Sequence, residues 1–130
     1  MVTRSADQLV ERARTQIERF TPARAFQSVR EGALLIDIRP IQQRREHGIV
    51  PQALCIERNV LEWRLDPSGA YRIPEATGHD RAVLILCQQG YASSLAAASL
   101  KAMGYQTTGD VIGGFDAWQS AGLPIAPGPA

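Results

Sequence analysis

The chain has 130 residues, which at roughly 100–200 residues per domain makes one layered unit with its own core and no room for a second catalytic domain. Apolar residues make up 45% and charged residues 21%, so wholesale disorder, collagen and coiled coil are excluded. A formal charge of +1, from fourteen Lys and Arg against thirteen Asp and Glu, provides no field to draw in nucleic acid or an anionic membrane.

In chain order, Ser5 followed by Gln8 reads as a capping box, and Val10, Ala13, Ile17 and Phe20 recur at helical spacing behind it. Thr21-Pro22 opens a second helix with Ala25, Phe26 and Val29 as its apolar stripe, and Gly32 stops it. Two short helices are thus expected before the first strand. Residues 33–38 (Ala-Leu-Leu-Ile-Asp-Ile) form an apolar run of the kind found in parallel strands covered on both faces. Residues 53–56 give a shorter strand, and residues 82–86 give the strongest, which runs straight into Cys87. Residues 57–80 are expected to be irregular, with one helical turn around Val60 to Leu65. A helix follows from Ser93 to Met103 with Gly104 as its stop. Thr107 to Ile112 is a fourth strand, Phe115 and Trp118 mark a short closing helix, and the proline-rich tail frays at its end.

Strands alternating with helices imply an α/β fold, a three-layer open sandwich with a mostly parallel central sheet flanked by helices. The organisation expected is an N-terminal helical extension over residues 1–32, the main domain over 33–126 and a tail over 127–130. The two cysteines, Cys55 and Cys87, cannot build a disulfide framework and fit a reducing compartment. The first twenty residues lack the apolar stretch of a secretory signal, and no run approaches the ~18 apolar residues of a membrane span, so the expected location is the cytoplasm.

In an open parallel sheet, ligands bind outside the carboxyl ends of the strands, and Cys87 sits there. The loop behind it, Gln88-Gln89-Gly90-Tyr91-Ala92, leads to Ser93 at a helix start and contains no proline, so its backbone amides can turn inward as an anion nest. A helix N-terminus aimed at the sulfur favours the thiolate, which is the nucleophile. Gly90 supplies the backbone freedom a tight ring needs.

At these residues the sequence resembles the rhodanese-like, or sulfurtransferase, family over about Leu34 to Pro124. Leu35-Ile36-Asp37-Ile38-Arg39 is similar to that family's opening strand with its Asp-x-Arg end, and Gly48 to Ala53 resembles its Gly-His-Ile-Pro-Gly-Ala segment with Ile49 in place of the His. Gly113-Gly114-Phe115-Asp116-Ala117-Trp118 with Gly122-Leu123-Pro124 matches its closing motif, and Cys87 to Ala92 falls where the family places its catalytic cysteine and loop. The resemblance implies transfer of a sulfane sulfur through a persulfide on Cys87, from a small donor such as thiosulfate to cyanide, a thiol or a protein cysteine. It implies neither a metal nor an organic cofactor. Residues Gln88, Gln89, Gly90, Tyr91, Ala92 and Ser93 would bind the substrate.

The sequence departs from the family pattern, in which members active on thiosulfate often carry Arg right after the cysteine and a basic or hydroxyl residue at the loop's end: here those places hold Gln88 and Ala92. A neutral loop grips a dianion less well, because charge-assisted hydrogen bonds are roughly twice as strong as neutral ones. The arginines at 39, 44, 45, 58 and 64 are candidates for the missing cation, although each read singly is a solvated surface charge. Asp37 and Arg39 are expected to brace the neighbouring loops rather than touch substrate. Cys55, mid-strand, is read as packing, and Trp63, Phe115 and Trp118 as core. His79 reads as an exposed loop residue, and no role is carried over to His47.

Two other functions compete with sulfur transfer. A cysteine phosphatase or arsenate reductase relies on Cys-x5-Arg, and position 93 is Ser. A non-catalytic binding module on the same fold would more naturally have lost the cysteine.

Overall fold

The computed structural model describes residues 1–130. The Ser5 hydroxyl accepts from the Gln8 backbone N–H and the Gln8 side-chain oxygen accepts from the Ser5 N–H, so the capping box opens helix α1, Ala6–Arg14. The periodicity suggested that α1 would carry on through Phe20. Instead the chain leaves the helix at Thr15 and forms a strand, β1, Glu18–Phe20, which pairs with the sheet so that Phe20 is buried. Sheet pairing overrides helical spacing here, and a strand separates the two opening helices. Thr21 caps helix α2, Pro22–Arg30, with proline in its first turn.

Strands β2 (Leu34–Asp37), β3 (Leu54–Cys55), β4 (Val83–Leu86) and β5 (Thr108–Val111) complete a five-stranded, all-parallel sheet in the order β1-β5-β4-β2-β3. β2 and β4 are buried at every position, as strands covered on both faces must be. Leu34, Ile36, Val83 and Ile85 share one core cluster with Ala96, Ala97 and Leu100 of helix α5, Ala92–Ala102. Leu35, Leu84 and Leu86 point the other way, onto Ala25, Phe115 and Trp118, the last two from helix α6, Gly114–Ser120. This alternation is the period of two that a strand imposes, and it sets up the three layers.

The irregular segment contains a 3₁₀ turn, Arg58–Val60, and helix α4, Leu61–Arg64. Leu61 and Leu65 take the inward face of that short element and are fully buried. Trp63 therefore points outward and is 60% exposed, so the expected core tryptophan is a surface one. Cys55 is also exposed, contrary to the packing role expected of it. Its strand is two residues long at the sheet edge and pairs only with β2. Trp118 and Phe115 are fully buried, as expected.

Helix α3, Ile41–His47, is an element that the sequence reading did not identify. Beyond β2 the chain turns to β3 on one side of the sheet, and β4 lies on the other side of β2. The carboxyl ends of β2 and β4 thus flank a topological switch point, where an open parallel sheet forms its binding crevice. No helix is long and apolar enough to cross a membrane.

Candidate active site

β4 delivers Cys87 to the switch point, and the chain then curls into the N-terminus of α5. The Gly90 N–H donates to Cys87 Sγ at 3.2 Å, and the Ser93 N–H, in the first turn of α5, does so at 3.3 Å. The sulfur is thus held at the positive end of an eleven-residue helix, a position that suits negative charge. Gly90 has φ +87°, and a Cβ there would stand 2.7 Å from the Gly113 nitrogen, so only glycine closes the ring in this shape.

The outside of the loop is fixed by a second helix. The N–H groups of Phe115 and Asp116, in the first turn of α6, donate to the carbonyls of Cys87 (2.8 Å) and Gln88 (3.1 Å). These free helix donors find acceptors on the loop backbone. The Gly-Gly pair makes the approach possible: Gly114 has φ +60°, and a Cβ on it would lie 2.7 Å from the Gln88 carbonyl carbon and against the Cys87 carbonyl oxygen.

Asp37 and Arg39 form a buried ion pair with Nη2 to Oδ2 at 2.8 Å. Arg39 also donates to Gln88 Oε1 at 2.9 Å and to the Gly48 carbonyl at 2.8 Å, and its guanidinium lies 4.2 Å from the Phe115 ring centre. Gln88 passes the connection on, since its Nε2 donates to Asp116 Oδ1 at 2.7 Å. One guanidinium thus ties the end of β2, the α3–β3 turn, the cysteine loop and α6 together.

Cys87 opens on a pocket of about 420 Å³ lined by Gln43, His47, Gln88, Gln89, Tyr91 and Ala92. Its wall contains no lysine or arginine. Among the arginines considered for that place, Arg39 is buried against Asp37, Arg44 donates to the Arg39 carbonyl at 3.3 Å, Arg58 pairs with Glu62 at 2.9 Å and Arg64 donates to the Tyr71 carbonyl at 2.8 Å. Arg45 lies in a separate hollow beside the C-terminal segment. Ser93 and Gly90 stand behind the sulfur rather than in the wall, and Ser93 Oγ donates inward to Asp110 Oδ2 at 2.7 Å.

Sequence reasoning missed the groups at the pocket rim and behind the loop. Gln43 and His47 reach the rim because α3 exists, and its signals were Pro40 before it and Gly48, with φ +97°, after it. Behind the loop, fully buried Asp110 accepts from Ser93 Oγ, from Ser94 Oγ (2.7 Å) and from Arg19 Nε (3.0 Å). Arg19 and Arg14 both donate to the Gly90 carbonyl, at 3.2 and 2.9 Å. Nothing in the spacing of Arg14, Arg19 and Asp110 marks them, because they meet only through the β1–β5 pairing and the packing of α1 on α5.

Cys55 is separated from Cys87 by the width of β2. Burial of its sulfur, and next the Asp37 carboxylate, push its thiol up, and Arg44 and Arg39 offset this only in part. No three His, Cys, Asp or Glu side chains gather as a metal site needs.

A strand-end cysteine ringed by backbone amides defines a class of α/β proteins that work through a thiol in an anion-sized loop. Within that class, the family model for the rhodanese-like domain matches residues 21–121. The chain therefore belongs to the rhodanese-like family. It is 30% identical over 106 residues to the thiosulfate sulfurtransferase GlpE of Actinobacillus succinogenes, covering 81% of this chain and 86% of that one. A solved structure from Rhodopseudomonas palustris, of a protein of unknown function described as a possible tyrosine phosphatase, superposes with a TM-score of 0.86 at 30% identity over 97% of both chains. The polysulfide-sulfur transferase homodimer of Wolinella succinogenes shares the fold, with a TM-score of 0.76 at 24% identity over 93% of this chain and 86% of that one.

Proposed function

We propose that the protein is a sulfurtransferase that carries a sulfane sulfur on Cys87. The observation that carries this reading is a sulfur held by two backbone N–H groups at a helix N-terminus and facing an open pocket. In the first half-reaction the thiolate attacks the outer sulfur of a donor. The new S–S bond forms as the donor's bond to that sulfur breaks, and its electron pair leaves with the remainder of the donor. In the second, a nucleophilic acceptor attacks the outer sulfur and the electron pair of the S–S bond returns to Cys87 as thiolate. The loop amides would hold the charge of the persulfide without changing position, since α6 and Arg39 already fix the loop.

The neutral wall of Gln43, Gln88, Gln89, Tyr91 and Ala92 with His47 favours donors of low charge over the thiosulfate dianion. Acceptors in this reading are thiols, cyanide or a protein cysteine. In this reading residues 33–126 carry the cysteine loop and its pocket, and residues 1–32, whose strand β1 joins the same sheet, buttress the loop from behind. Two free thiols fit a reducing cytoplasm.

The likeness to the Rhodopseudomonas protein raises phosphate-ester hydrolysis as a second reading. It is the weaker one, because that chemistry needs a bidentate guanidinium on the anion, Ser93 occupies the position, and Arg14 and Arg19 are bound to a carbonyl behind the loop. Intact-mass measurement after incubation with thiosulfate, a mercaptopyruvate-type donor and a low-molecular-weight persulfide tests the main reading. One extra sulfur, lost in Cys87→Ser, supports it; aryl phosphate hydrolysis that depends on Cys87, without any such adduct, replaces it with the second.

A further inference from the structure

The wall of the pocket lacks a lysine or arginine, but a guanidinium lies directly behind the loop. Arg14 is the last residue of α1. Its Nη2 donates to the Gly90 carbonyl at 2.9 Å, its Nε donates to Ser94 Oγ at 3.1 Å, and its guanidinium carbon lies 5.6 Å from the Tyr91 ring centre. Arg19 reaches the same carbonyl, but its charge is paired with Asp110 at 3.0 Å. Arg14 has no carboxylate within 4.0 Å; Asp7 and Glu11 of its own helix share a surface hollow with it and Tyr91 without closing an ion pair. Of the two guanidiniums on the Gly90 carbonyl, the nearer one, Arg14, is therefore the one without an ion-pair partner.

A trans peptide places its N–H opposite its C=O, and no peptide in the chain is cis. Two guanidiniums drawing the Gly90 carbonyl outward turn the Tyr91 N–H the other way. That N–H donates to no protein group, whereas its neighbours at Gly90 and Ser93 are on the sulfur. A cation on the carbonyl also polarises the peptide and strengthens its donor end.

We propose that Arg14 is a positioning residue: through the Gly90–Tyr91 peptide it aims a polarised N–H at the sulfur carried by Cys87, and so supplies from behind the charge that the pocket wall lacks. The inference rests on the sulfur-carrier reading of Cys87. A mere latch between α1 and α5 would need only the Ser94 and Tyr91 contacts; the terminal nitrogen on a loop carbonyl is what the latch does not explain.

The test uses the full chain with Cys55→Ser, which removes the competing thiol, and compares Arg14→Gln and Arg14→Lys. Three quantities are read on the unloaded protein: the rate of Cys87 alkylation by iodoacetamide at neutral pH, the amide proton shift of Tyr91, and the thermal midpoint. Arg14→Gln is expected to slow alkylation about fivefold, the scale of one partly exposed charge at a helix-terminus site, and to move the Tyr91 amide proton upfield. Arg14→Lys, which keeps the charge and one donor, is expected to restore most of both, whatever either variant does to the midpoint. An unchanged alkylation rate and Tyr91 shift in Arg14→Gln, or a lysine variant as slow as the glutamine one, would overturn the proposal. Because these readouts need no donor, failure of the parent protein to form a persulfide while they still differ removes the sulfur-transfer reading and leaves the Arg14 effect standing.

Discussion

Replacing Gly114 by alanine should collapse the loop from outside. The residue sits at φ +60°, where a side chain costs about 1–2 kcal/mol. Its Cβ would lie 2.7 Å from the Gln88 carbonyl carbon and against the Cys87 carbonyl oxygen. Both neighbours are backbone held by hydrogen bonds from Phe115 and Asp116, so overpacking adds about 1–3 kcal/mol. The sum is about 3.5 kcal/mol at mid-range, which in a domain of this size lowers the thermal midpoint by about 10–15 °C. Gly122 is the internal control, with φ +74° and nothing within 4 Å of an added Cβ; Gly122→Ala should show only the backbone part, about 1–2 kcal/mol. Thermal unfolding of both variants, with Cys87 alkylation measured well below the midpoints, separates the two contributions. Gly114→Ala should also alkylate more slowly, because the ring that supplies the Gly90 and Ser93 donors is displaced. Equal losses of stability in the two variants, or unaltered alkylation in Gly114→Ala, would refute the claim that α6 clamps the loop.

Asp110→Asn should destabilise the fold by about 3–5 kcal/mol by leaving Arg19 without its carboxylate, visible as a lower urea midpoint with unchanged slope. Burial pushes the Glu62 carboxyl up, but the Ser99 hydroxyl, a backbone N–H and Arg58 together outweigh it and hold the group below its ordinary value near 4.5. A depressed acid stabilises the fold above its ordinary value and loses that contribution as pH falls through the lowered one. The stability gap between the parent and Glu62→Gln should therefore be open at pH 7 and close in strong acid; a gap independent of pH contradicts this. Cys55, though exposed, has its thiol pushed up, so at neutral pH it should alkylate more slowly than a simple thiol, and Cys55→Ser should leave sulfur loading intact.

The sheet, the position of Cys87 and the two capped opening helices were legible because each rests on a local signal: an apolar run, a capping residue, a glycine after a strand. The errors fall where a longer-range pairing decides. Phe20 kept helical spacing yet joined β1, since pairing with β5 buries it better than another turn of α1 would. Cys55 and Trp63 were read from residue type and local position, which do not say that a strand is at the sheet edge or which side of a single helical turn faces in. The same limit hid Arg14 and Arg19, which lie 71 to 91 positions from their partners Gly90 and Asp110 and meet them only after the sheet has formed.

The measurement that bears most directly on the central claim is the mass of the intact chain after exposure to a low-molecular-weight persulfide and removal of excess donor. The expected result is one added sulfur, located to Cys87, absent in Cys87→Ser, present in Cys55→Ser and discharged by cyanide as thiocyanate. An unchanged mass with every donor class, or an adduct that persists in Cys87→Ser, would contradict the assignment of Cys87 as the sulfur carrier.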